Sequence, residues 1–166
     1  MNDGNSPLQN EWWLPRHPRS ARRARKYLRE LAEVWQLQAE ATYTAVLMLS
    51  ELTANACVHS RAPRGRYVRV RCLLHTGRLR VEVSDAGFAM PEPRVAGCYD
   101  EDGRGLALVA ALADEWGVYP RPYGIGKVVW FEVSDCLSPS GPNSGPHSGP
   151  NSGPGSLLRE AAEEVQ

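Results

Sequence analysis

Between Val68 and Val83 the chain spells out a β-hairpin with one apolar face, and that feature constrains the architecture more than any other. Val68, Val70, Cys72 and Leu74 alternate with largely basic neighbours, and after Thr76-Gly77 the residues Leu79, Val81 and Val83 alternate again. A period of two puts these side chains on one face of a sheet, and that face must be covered. Two stretches upstream supply the cover. Ser20 is placed to cap a helix running to about Gln36, with Ala24, Leu28, Leu31 and Trp35 as its apolar stripe. A second helix is predicted from about Ala39 to Ser60 on Ala45, Met48, Leu49, Leu52 and Ala56, stopped by Ala62-Pro63.

Beyond the hairpin, the stretch from Asp85 to Arg104 has neither helical nor strand periodicity. It is punctuated by Gly87, Pro91, Pro93 and Gly97 and then by the charged run Asp100-Glu101-Asp102. A loop of this length in a compact domain is typically a functional lid. Gly105 to Asp114 follows as a helix with Leu106, Val109, Ala110 and Ala113 inward, and Trp116 to Tyr119 and Lys127 to Val133 read as two further strands. The fold class expected is α+β: a two-layer α/β sandwich with helices on one face of a mostly antiparallel mixed sheet.

The 166 residues suit one domain. Residues 1–18 are polar and Pro-punctuated and are expected to be a flexible N-terminal segment, leaving 19–136 as the folded domain. Residues 137–156 contain a Ser-Gly-Pro-X repeat with almost nothing to bury, the composition of a disordered linker. The acidic tail, residues 157–166, could form about three helical turns but is too short to be stable alone.

Nineteen basic residues balance nineteen acidic ones, so no whole-molecule field draws the chain to nucleic acid or to an anionic membrane. No apolar run approaches a membrane span and no secretory leader is visible, so a cytoplasmic location is expected. Cys57, Cys72, Cys98 and Cys136 are 15, 26 and 38 residues apart, spacing that suits packed, reduced thiols better than a metal site.

Phosphate-loop, nucleophile-elbow and zinc-helix motifs are absent. Three polar clusters remain. Glu51 and Asn55 lie one helical turn apart, with His59 a turn further, and oxygen ligands of this kind suit a magnesium ion, though a solvated helix face explains the pair alone. Asp85-Ala86-Gly87 ends an apolar strand, where the carboxylate can accept from an exocyclic amine or close an ordinary Asx turn. Gly103-Arg104-Gly105-Leu106 precedes a helix, where free amides, open backbone and a guanidinium favour an anion, or where a plain cap suffices.

Taken in order, these clusters resemble the motifs of the GHKL ATPase superfamily, and most closely its small branch of anti-sigma-factor serine/threonine kinases. SELTANACVHS (50–60) looks like the N box, VEVSDAGFAMPEP (81–93) like the first glycine box, and GRGLALVAALADEWGV (103–118) like the second, with GKVVWFEV as the closing strand. Ala89 and Val128 depart from the usual pattern, the first where a second glycine is common and the second where a Thr often stands. The resemblance implies a Bergerat-type ATP-binding fold with ATP and Mg2+ as cofactors. Glu51 would be the catalytic residue that polarises the attacking group, Asn55 would bind magnesium, and Asp85 beside Gly87 would meet the adenine amine. Gly103, Arg104, Gly105 and Leu106 would wrap the phosphates. The implied partners are a sigma factor and an anti-sigma antagonist protein, the latter phosphorylated on Ser or Thr. The alternative is a nucleotide-gated protein-binding module without turnover. No phosphoacceptor dimerisation helix accompanies the motifs, and homodimer formation stays open.

Arg16, Arg19, Arg22, Arg23, Arg25, Lys26 and Arg29 form a run with no acid among them. A solvated helix face is the first reading and docking of an acidic protein partner the second. Nucleic acid comes third, since the run lacks interleaved aromatics.

Overall fold

A computed structural model describes residues 6–58, 66–87, 101–121 and 126–137, with the backbone alone for 101–104. In chain order the elements are β1 (Leu8–Pro15), α1 (Ser20–Val34), α2 (Ala39–Val58), β2 (Tyr67–His75), β3 (Arg78–Asp85), α3 (Glu101–Leu112), β4 (Glu115–Pro120) and β5 (Lys127–Val133). The strands form one sheet in the order β1-β2-β3-β5-β4. Every pairing in it is antiparallel, and with the helices the sheet makes the α+β architecture expected from the sequence, its mostly antiparallel character here complete among the described strands.

The hairpin forms as its alternation requires. Val68, Val70, Cys72 and Leu74 on β2 and Leu79, Val81 and Val83 on β3 are all buried. Thr76 (φ 49) and Gly77 (φ 76) both take positive φ, the two-residue turn whose twist matches the flanking strands. These inward side chains, with Val129, Phe131 and Val133 of β5, pack against Leu28 and Leu31 of α1 and Met48, Leu49 and Leu52 of α2. Burying seven such side chains from the hairpin alone contributes on the order of 10 kcal/mol before entropy is counted.

The N-terminal segment, expected to be flexible, instead contributes β1. It pairs with β2 from Leu8↔Leu74 to Pro15↔Tyr67. Only Leu14 of this edge strand is buried; Trp12 is half-buried and stacks at a tilt on Tyr27 of α1, ring centroids 5.7 Å apart. Ser20 is likewise not the cap. It is the first helical residue, follows Arg19, and donates its hydroxyl to the Pro15 carbonyl at 2.5 Å, so that it ties α1 to the end of β1.

The α1–α2 turn is a Schellman motif with Gln36 in the left-handed conformation (φ 54). Gln36 N–H donates to the Glu33 carbonyl and Leu37 N–H to that of Ala32. The chain leaving β5 returns to this turn: Leu137 bridges Leu37, and Gln38 donates through its backbone to Cys136 and through its side chain to Leu137. Cys57, Cys72 and Cys136 are buried free thiols as expected, with burial pushing Cys72 up to about 12. The expected lid after Gly87, His59, the Ala62-Pro63 stop, Cys98, the repeat linker and the acidic tail lie outside the described residues.

Candidate functional site

Helix α2 is the centre of the site because it packs on both β3 and α3. Its apolar stripe faces the sheet, which turns Glu51 and Asn55, one turn apart, toward the side where α3 crosses. Both are half-buried. Gly105 of α3 is buried against them: a side-chain carbon at this position would lie 2.6 Å from Asn55 Nδ2 and 3.4 Å from Glu51 Oε2. The carboxylate and carboxamide of one motif and the glycine of another, fifty residues apart, therefore meet only because residue 105 has no side chain.

Asp85 closes β3 on the same face as Leu79, Val81 and Val83, so its carboxylate is directed at the helix layer and is 4 % exposed. Its Oδ1 accepts the Gly87 N–H at 2.6 Å, the Asx turn that was one of its two sequence readings. Its Oδ2 lies 3.4 Å from Lys127 Nζ, across the β3–β5 register pair Asp85↔Lys127. Each carboxylate oxygen has two acceptor positions, so both contacts leave Asp85 able to accept from a ligand amine.

Gly126 makes this junction possible. At φ +115 it brings β5 so close that a side-chain carbon would sit 1.9 Å from the Asp85 carbonyl oxygen. Helix α2, which carries Glu51 and Asn55, also packs on β3, which ends at Asp85. Burial pushes the Cys57 thiol of α2 up, the His17 backbone and the Arg16 charge pull it back, and the Asp85 carboxylate pushes it up again.

Helix α3 begins earlier than the sequence suggested. The expected loop through Arg104 is replaced from Glu101 onward by helix, which places Gly103, Arg104, Gly105 and Leu106 within its first two turns. Free amides belong to the first turn only. Gly103 keeps the position that suits an anion, whereas Gly105 acts as a spacer against α2 and Leu106 is half-buried against the core. The Arg104 side chain lies outside the described residues.

Among the described residues no group of three or more His, Cys, Asp or Glu could hold a metal ion. Glu51 and Asn55 offer two hard oxygen donors, which fits a magnesium ion that draws its remaining ligands from phosphate and water. Val128 and its register partner Ser84 are both buried, but on the sheet face opposite Asp85 and Lys127, so neither side chain faces the inward carboxylate. Sequence reasoning missed Lys127 as the partner of Asp85 and Gly126 as its neighbour. The one available signal was the Gly126-Lys127 pair at a strand entry, which had no phosphate-loop context.

Residues 14–133 match the family described as the histidine kinase-like ATPase domain. An uncharacterized protein of Streptomyces coelicolor is 46% identical over 56 residues, 30% of this chain and 49% of the relative, so the chain spans about half the length of the curated relative it matches. Among solved structures, the RsbU and RsbW domains of Rv1364c from Mycobacterium tuberculosis align with a TM-score of 0.60 at 22% identity, over 76% of this chain and 32% of that one, a likeness of fold. The histidine kinase domain of a blue-light activated kinase from Erythrobacter litoralis aligns at 29% identity over 57% of this chain and 45% of that one, with a TM-score of 0.43.

Proposed function

The chain belongs to the histidine kinase-like ATPase domain family, and from that premise we propose that it is an ATP-binding regulator of the anti-sigma type. In this proposal it transfers the γ-phosphoryl group of ATP, with magnesium, to a Ser or Thr of an antagonist protein. The observation that carries it is the seat of Gly105 on Glu51 and Asn55 beside the inward Asp85. In this reading Glu51 would serve as base, Asn55 as metal-binding amide, Asp85 as amine acceptor and the start of α3 as the anion site.

In such a site Asp85, fixed by Gly87 and Lys127, would accept the adenine amine. Asn55 would hold the magnesium ion, whose charge offsets that of the phosphates. Gly103 and Arg104 would meet the phosphate oxygens at the start of α3. Glu51 would accept the proton of the incoming Ser or Thr hydroxyl as its oxygen bonds to the γ-phosphorus and the bond to the bridging oxygen breaks. Positioning and charge neutralisation supply most of the rate in this class of reaction. A phosphate left on the antagonist adds close to two negative charges to its interface and releases the kinase to hold a sigma factor. The setting is cytoplasmic; among the described residues no helix is long and apolar enough to cross a membrane.

Titration of the purified chain with ATP, with and without magnesium, tests the pocket. Asn55→Ala should abolish the magnesium dependence and Asp85→Asn should weaken binding about tenfold or more, the loss of one charge-assisted hydrogen bond. Gly105→Ala should keep the fold, because the group it meets is the end of a flexible side chain, yet displace the Asn55 carboxamide and weaken magnesium-ATP. Binding untouched by all three changes would refute the site. Glu51→Gln separates the kinase from a nucleotide-gated binder: the kinase loses turnover while keeping nucleotide, and a binder has no turnover to lose.

A further inference from the structure

The α1–α2 end of the helix layer carries a hollow of about 420 Å³, away from Glu51, Asn55 and Asp85. Its floor is Ala32, Leu37 and Val46, its wall is Tyr43, and Arg29 and Glu33 of α1 stand at its rim. Tyr43 is 72 % exposed, an aromatic ring that the fold itself leaves uncovered. We propose that this groove is the docking site for the chain's own acidic tail, Leu157–Gln166, an intramolecular contact that occupies one end of the α1–α2 surface.

Three observations choose this occupant. The first is where the chain leaves the domain: Leu137 bridges Leu37, a groove residue, and its carbonyl accepts from Gln38, so the C-terminal segment departs at the edge of the hollow. A chain with the Gly-, Ser- and Pro-rich composition of the nineteen residues 138–156 has a root-mean-square reach of about 24 Å, enough to return a short segment to a groove at its own starting point. A tether of that kind holds its cargo at an effective concentration in the millimolar range, so even a weak contact is occupied.

The second is the pattern of the tail. Leu157, Leu158, Ala161, Ala162 and Val165 fall on one side when LLREAAEEVQ is drawn as a helix, and Glu160 and Glu164 flank that stripe one turn apart. Ten residues do not hold a helix alone in water, so the stripe needs a surface, and the groove is an apolar one of matching scale.

The third is charge. The tail holds Glu160, Glu163 and Glu164 against a single Arg159. The groove is bordered by Arg29, and Arg22, two turns earlier on the same side of α1, is also exposed. Glu33 is the one acid at the rim and gives Arg159 a partner. A protein partner that uses this end of α1 therefore competes with the tail.

Amide hydrogen exchange on the full chain tests the docking. Residues 157–166 should exchange about tenfold more slowly in the native chain than in Leu158→Asp, the factor expected when a millimolar effective concentration meets a contact of about 0.1 mM. Tyr43→Asp, at an exposed position, should remove the same protection without changing the global unfolding transition. Arg29→Glu should reduce it, and Glu160→Arg with Glu164→Arg in the Arg29→Glu background should restore it. Tail amides that exchange at the unstructured rate in the native chain would overturn the proposal. Protection that survives Tyr43→Asp would do the same, since the tail would then lie elsewhere. Protection that grows with protein concentration would replace the intramolecular contact with one between copies.

Discussion

The two faces of the sheet handle charge in opposite ways. On the open face Arg78 and Arg80 reach Glu132 at 2.9 Å, Arg80 also reaches Glu82 at 2.9 Å, Arg69 meets Glu11 at 2.6 Å, and the Arg80 guanidinium lies 3.8 Å over the Trp130 ring. The arginines keep access to water, with side chains 29–46 % exposed, and Glu82 and Glu132, each 13 % exposed, are shared between two arginines apiece, so each single pair gains little net energy and the lattice mainly makes this sheet face unattractive to other strands. On the helix-facing side the charged pair at the end of the core is Asp85 with Lys127, with side chains 6 % and 15 % exposed. A pair placed there bears a desolvation cost that apolar residues would avoid, which makes it a weak source of stability and a strong marker of position. Abundance of charge tells one where water is; a lone inward pair tells one where a ligand is expected.

The sharpest way to break this contrast is to push the inner pair apart through the backbone. Gly126→Ala should destabilise the domain by more than about 4 kcal/mol in urea unfolding, because a strained φ and a clash with a backbone carbonyl coincide and neither can relax cheaply. A loss below about 1 kcal/mol would show that the β3–β5 junction is looser than its geometry. Next in size is Lys127→Met, which keeps the aliphatic stem and leaves the Asp85 carboxylate without its charge partner. About 2–3 kcal/mol should be lost at neutral pH, the cost of an uncompensated and mostly buried charge. Asp85→Asn in the same background should recover much of it. A Lys127→Met change no more costly than an open-face substitution would erase the distinction between the faces.

The sequence made the apolar part of the helix-facing side legible and only part of the site at its end. Alternation from Val68 to Val83 announced the hairpin because half of its side chains are in the core. The edge strand β1 escaped for the converse reason. Leu14 is its only buried residue, and its identity as a strand comes from pairing with β2, which no local pattern records. The early start of α3 was hidden by the Asp100-Glu101-Asp102 run and by Gly103, a poor helix former, all read as loop; Gly105, read as the start of the helix, is demanded by close packing on Asn55. Glu51 and Asn55 were found because helical spacing is visible in sequence. Lys127 was not, because its meeting with Asp85 depends on a strand register 42 residues away.

The smallest effects belong to the open face, and they carry a pH signature. Burial alone would raise the Glu132 carboxyl, but hydrogen bonds from Arg78 and Arg80, and then their charges, outweigh it and hold it below its ordinary 4.5. A depressed carboxyl contributes stability that is complete above its unfolded value and is lost as pH falls through the folded one. Glu132→Gln should therefore cost about 1 kcal/mol at pH 7, a cost that shrinks with added salt, and the difference from the native chain should begin to fall as pH drops through about 4.5 and be gone once the lowered folded carboxyl is protonated. Glu115, with its side chain 62 % exposed and joined to Arg78 at 3.3 Å, sits at the solvated limit of the same lattice. Glu115→Ala should leave the unfolding midpoint unchanged at every pH, because a pair so open to water exchanges one hydrated state for another. If Glu115→Ala matched Lys127→Met instead, the energy of this fold would lie in the quantity of its ion pairs, and the burial of the inner pair would have no special meaning.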